Sequence, residues 1–229
     1  MVNHYHIIQE LNRRVDRVRI RVQNRFRKTI NTLKPKKNNK TITPEELIEL
    51  EEASRYYYVF KKFNWLLAST NKKILDVNVE RRFNHRLNRY LNYSEILAYM
   101  LAIDDELEEA FYLRNDVTYF YDHCTYDTAK KQLEKIIIDF RSSTVAEMSP
   151  FANTLTNWKK EIINSFIIVD DKANRKMNTA IVENRNKSIK LLKHASNGYL
   201  NWERFRNRIL HKLNEDTTFY YASIRKDGK

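Results

Sequence analysis

The stretch Ile7-Ile8-Gln-Glu-Leu11-Asn-Arg-Arg14-Val15-Asp-Arg17-Val18-Arg-Ile-Arg21-Val22-Gln-Asn-Arg25-Phe26-Arg-Lys28-Thr-Ile30-Asn-Thr-Leu33 carries two superposed rhythms. Ile8, Leu11, Val15, Val18, Val22, Phe26, Ile30 and Leu33 recur every three or four residues. That spacing brings side chains onto one face of an α-helix and predicts a single long amphipathic helix over 7–33. Arg14, Arg17, Arg21, Arg25 and Lys28 repeat on the same spacing along another side. Such a stripe is either a solvated surface or a track for a phosphate backbone.

Working outward, Lys34-Pro-Lys-Lys-Asn-Asn-Lys40 reads as a linker, and Thr43-Pro-Glu-Glu46 as a helix start. Thr43 can cap, Pro44 suits the first helical position and Glu46 can close a capping box. The helix that follows carries Tyr56, Tyr57, Tyr58, Phe60, Phe63 and Trp65. Rings in that number fill a core more often than they stack on bases. Further helices are expected near 76–91, 93–121, 127–141, 150–168, 177–195 and 201–214. The acidic run Asp104-Asp-Glu-Leu-Glu-Glu109 reads as a first helical turn that favours the helix dipole, rather than as a metal site.

The 229 residues include only two Gly and three Pro, too few for a meander of short strands, so the fold class expected is mainly α. Lys and Arg number 42 against 29 acids, a net charge of +13 that favours an anionic partner such as nucleic acid. The lone Cys124 rules out a disulfide framework and a multi-thiolate zinc site. No stretch approaches the roughly 18 apolar residues of a spanning helix, so no membrane partner and a cytoplasmic location are expected.

Nucleophile elbows, Walker loops and paired-histidine zinc motifs are missing from the sequence, and His4 and His6 point apart on a helix. The segment from 181 to 194 is richer. Glu183, Lys187, Lys190 and His194 share one side of a helix, with Ile181, Val182, Ile189 and Leu192 on the other. A carboxylate among cations can hold a divalent metal beside a phosphodiester, or can simply pair with Lys187 at the next turn.

Longer strings of residues carry a resemblance. Asn178-Thr-Ala-Ile-Val-Glu183-Asn-Arg-Asn186-Lys187-Ser-Ile-Lys190-Leu-Leu-Lys193, then Asn197-Gly-Tyr199 and Asn201-Trp-Glu-Arg204-Phe205-Arg-Asn-Arg208-Ile-Leu210, resembles the carboxy-terminal motif of insertion-sequence transposases of the ISL-three family. Trp158-Lys-Lys-Glu-Ile-Ile-Asn164-Ser-Phe166 resembles the approach to that motif. Asn3-His4-Tyr5-His6-Ile-Ile-Gln9, with Leu11-Asn12-Arg13 and Val18-Arg19, resembles the family's Asp-x-x-His-Ile segment.

The resemblance implies a ribonuclease-H-like DDE transposase, in which two strand-borne aspartates and one helical glutamate hold two Mg2+ ions for DNA strand cleavage and transfer. Glu183 matches the glutamate and would be its catalytic and metal-binding residue. Asn186, Lys187, Lys190, Lys193, Arg204 and Arg208 join Arg14, Arg17, Arg21, Arg25 and Lys28 as expected DNA-binding residues. Asn184 stands where the family often has Gly, and Asn3 stands where it has Asp and offers no anionic ligand. The two aspartates, a zinc-binding segment and a helix-turn-helix are expected upstream of these residues. The chain therefore reads as the helical carboxy-terminal part of a truncated or split transposase, inactive alone. Residues 1–34 would form the basic helix following the catalytic strands, 35–149 an all-helical insertion and 150–229 the part bearing the glutamate. The expected partners are the DNA of insertion-sequence ends and transposase subunits. The competing expectation is a non-enzymatic helical protein that binds nucleic acid or interferes with an intact transposase.

Overall fold

Helix α1 (His4–Asn38) is the spine of the structure, a computed structural model that describes residues 4–170, 175–176, 180–196 and 200–213. Side chains are described at these positions except 169–170, 175–176 and 180–183. Asn3 and the Asn197-Gly-Tyr199 segment therefore lie outside the described residues. Nine α-helices, one 3-10 turn and two antiparallel hairpins occur among the described residues, in agreement with a mainly helical transposase part.

The apolar stripe of α1 is the core face, as its spacing predicts. Leu11, Val15, Val18, Val22 and Leu33 are buried, and the helix packs against α2 (Pro44–Lys62) and α4 (Asp105–His123). Burying each such side chain contributes about 1.5–3 kcal/mol. Phe60, Phe63, Met100, Phe111, Phe120, Phe140 and Phe151 complete one continuous cluster. The aromatics expected on one helix divide: Phe60 of α2 and Phe63 just beyond its end are core, Tyr56 and Tyr58 of α2 pack against it, and Trp65 lies past the helix in the 3-10 turn Asn64–Ala68 and stays 41% exposed. Arg114 of α4 is buried too, and donates to Asn12 Oδ1 (2.9 Å), Asn115 Oδ1 (2.8 Å) and the Ala68 carbonyl (2.9 Å). It thereby ties α4 to α1 and to the 3-10 turn Asn64–Ala68.

Local chemistry explains the ends of elements and several departures from the expected pattern. The linker expected at 34–40 is mostly helix. Pro35 removes one exposed hydrogen bond, and α1 runs on to Asn38. It closes in a Schellman arrangement, Thr41 N donating to Lys36 O (3.0 Å) and Lys40 N to Lys37 O (3.1 Å), with Lys40 at φ 57°. The box at Thr43 forms as expected: Thr43 Oγ1 accepts from Glu46 N (3.2 Å), and Glu46 Oε2 accepts from Thr43 N (3.1 Å).

The helix expected at 76–91 is instead a loop and a hairpin, β1 (Arg82–Asn84) paired with β2 (Arg89–Leu91). Asn84 Oδ1 accepts from Arg86 N (3.1 Å) and Leu87 N (3.2 Å), and Asn88 sits at φ 52°. Asparagine side chains thus bend the chain where the apolar count alone suggested a helix. The helix expected at 93–121 breaks into α3 (Tyr93–Leu101) and α4, because Asp104 Oδ1 caps α4 through Leu107 N (3.0 Å). The acidic run is therefore a first turn, as read from the sequence.

Helix α5 (Tyr126–Ser142) follows, and the segment expected as one helix at 150–168 is α6 (Phe151–Asn157) and α7 (Lys159–Asn164). Then come β3 (Ile168–Asp170) paired with β4 (Arg175–Lys176), α8 (Ala180–Ala195) and α9 (Trp202–Leu213). The chain divides into two compact units, Met1–Met177 and Asn178–Lys229. Residues 1–34, 35–149 and 150–166 all contribute to the core of the first unit.

Candidate functional site

The cations of α1 separate into two kinds. Arg21 forms a two-pronged pair with Glu147, Nε to Oε1 at 2.9 Å and Nη2 to Oε2 at 3.0 Å, and also donates to Glu106. The hydrogen bonds from Arg21 hold the Glu147 carboxyl below the usual carboxylate range, while Glu147 and then Glu106 raise the Arg21 guanidinium above its ordinary value. Arg25 pairs with Asp104. Arg14 pairs with Glu10 (3.2 Å), donates to the Glu147 carbonyl (2.6 Å) and lies over the Phe151 ring at 5.2 Å. Arg17 and Lys28, by contrast, are exposed and form no ion pair among the described residues. Three cations of the stripe are fastened and two carry open charge. Glu106, Glu147 and Asp104 were not foreseen as its partners, since they stand about 80 to 125 positions away in the chain and only the tertiary fold brings them to α1.

The second unit holds the other expected residues. Glu183 lies in the first turn of α8, with its side chain outside the description. Beyond it Asn186, Lys187, Lys190 and Lys193 are all exposed. Asn201 caps the start of α9, its side chain accepting from Arg204 N (3.1 Å). Phe205 is buried against Trp202 (5.9 Å), while Arg204 and Arg208 lie on the exposed surface. Helices α8 and α9 contact one another, so these cations belong to one small basic unit.

A further surface escaped the sequence reading. The hairpin β1–β2, α2 and the start of α3 enclose a cleft lined by Tyr58, Phe63, Phe83 and Tyr93 together with Lys62, Arg82 and Arg86. The signal was the pair of turn asparagines, Asn84 and Asn88, which mark a hairpin rather than a helix.

Comparison with known proteins adds the deciding observation: a family model described as Transposase, of the ISL-three type of DDE enzyme, matches residues 1–209. The chain belongs to the ISL-three family of DDE transposases. No curated protein and no solved structure matches it. The family match includes α1, the whole helical core and Glu183. A transposase acts on DNA, and members of a DDE family generally use a divalent metal. Among the described residues no three His, Cys, Asp or Glu side chains come together as a set able to hold an ion. No described helix is long and apolar enough to cross a membrane.

Proposed function

We propose that this transposase chain supplies the helical part and the helical carboxylate, Glu183, of an insertion-sequence DNA strand-transfer enzyme. Its two aspartates come from polypeptide outside these 229 residues, in the same chain or another. The observation that carries the reading is the family match running through α8, with Glu183 in its first turn and exposed Lys187, Lys190 and Lys193 following. Those lysines suit a phosphodiester, whose charge they would partly neutralise. The bound Mg2+ expected of the completed family enzyme would activate the attacking oxygen and stabilise the leaving one. This chain's part is to offer one ligand arm and to grip the backbone. The 229 residues alone are inactive on this reading.

The test is strand transfer from donor DNA carrying the insertion-sequence ends, with Mg2+ present. The chain alone should give none. Adding a polypeptide that bears the missing aspartates should restore transfer, and Glu183→Gln should return it to background. Transfer by the chain alone, lost on Glu183→Gln, would overturn the claim of incompleteness. Transfer indifferent to Glu183 would remove it from the chemistry.

The second reading is a non-enzymatic protein that binds DNA or transposase subunits, with residues such as Arg17, Lys28, Arg204 and Arg208 meeting phosphate. The net charge of +13 supports it. Persistent DNA binding by the Glu183→Gln protein, with no transfer in any reconstituted mixture, would favour it.

A further inference from the structure

The cleft beside the β1–β2 hairpin combines a wall of aromatic rings with a cationic rim. Its volume is about 610 Å³, within the roughly 300–1,000 Å³ typical of sites for small ligands. Its rings are partly open, Phe83 being 40% and Tyr93 39% exposed. They are also braced, Phe83 by Tyr90 (5.0 Å) and Tyr93 by Trp65 (5.2 Å). The rim is cationic: Lys62, Arg82 and Arg86 face one acid of the lining, Glu80. Neither Lys62 nor Arg82 has an ion-pair partner among the described residues, whereas the neighbouring Arg81 is held by Glu95. Arg86 lies over the Tyr58 ring at 5.8 Å and also lines a second depression, where Lys34, Lys37 and Arg55 gather around Glu51. Positive charge therefore runs continuously from the end of α1 into the ring-lined cleft.

We propose that this cleft receives an unpaired nucleotide of a DNA strand, its base against Phe83 and Tyr93 and its flanking phosphates against Arg82, Lys62 and Arg86. The inference rests on DNA being the partner of the chain. Charge complementarity selects the occupant: a row of phosphates matches the cationic path beyond Arg86, and an aromatic wall offers any base a stacking surface. Paired bases keep both faces inside the duplex stack. Only an unpaired base can present a face to Phe83.

The experiment measures binding of the full chain to a labelled thymidine oligonucleotide and to a labelled duplex, by fluorescence anisotropy across a salt series. Phe83→Ala should weaken single-strand binding roughly 5- to 150-fold and leave duplex binding unchanged. Phe83→Tyr, which keeps the ring, should retain single-strand affinity. Arg82→Gln should lower the salt slope for single strands by about 0.7. Unaltered single-strand affinity in Phe83→Ala, with duplex binding intact, would overturn the inference and leave the cleft as a protein-docking surface. Failure of the unsubstituted chain to bind either DNA would overturn the DNA reading itself, and this inference with it.

Discussion

At the scale of single residues, the pair of Arg21 and Glu147 shows how a charge that looks free in the sequence is tied down in the structure. Its acid is held below the usual range chiefly by hydrogen bonds from Arg21. A lowered folded value means stability that is present above the unfolded glutamate value, near 4.3, and lost as pH falls through the folded one. Glu147→Gln should therefore cost about 1–2 kcal/mol at neutral pH, and the deficit should vanish on acidification below that window. Urea unfolding at neutral and acidic pH measures it; a deficit constant with pH would point to packing instead. Asp116 works in the opposite sense. Although Asp116 is exposed, partial desolvation and then Asp139 push its carboxyl up, so its small contribution is present below the unfolded aspartate value and lost as pH rises through the raised one. Asp116→Asn should stabilise the protein slightly at neutral pH and not below the aspartate range, as urea unfolding at the two pH values would show.

At the scale of elements, short polar side chains overruled the apolar spacing. Asn92 is buried, caps α3 by accepting from Glu95 N (2.9 Å), and donates to the carbonyls of Val77 (3.0 Å) and Val79 (3.2 Å). One side chain thus starts a helix and pins the loop before the hairpin. Asn92→Ala removes the cap and leaves two carbonyls short of a donor, at a cost of about 2–3 kcal/mol. Limited proteolysis should then cut at 76–81 before the rest of the chain unfolds. Asn88→Gly, which permits the same positive φ, should be close to neutral. Helix α1 was legible because its apolar periodicity extends over many turns, and the start of α2 because the capping box at Thr43 is written in four adjacent residues. The hairpin and the break at Asp104 were not, because each turns on one or two side-chain hydrogen bonds within an otherwise helix-like pattern.

At the scale of the whole molecule, the charge of +13 is spread over surfaces with different tasks. If Arg17 and Lys28 meet DNA phosphates, replacing both by Ala should lower the slope of log affinity against log salt by about 1.8 on duplex DNA, with little change in stability. Arg21→Ala should do the reverse, since its charge is spent on Glu147 and Glu106. An unchanged slope in the double variant would leave that side of α1 as solvated surface. The sequence by itself determined the mainly helical class, the core face of α1, the capping box at Thr43 and the transposase family, because each is written in residues close together in the chain or in an ordered string of them. It also placed Glu183 on a helix among cations. Only the tertiary structure decided which arginines are fastened, and where the aromatic cleft lies. Those outcomes depend on Glu106, Glu147 and the β1–β2 hairpin reaching α1, α2 and α3 across the fold, and no local spacing encodes a distance through space.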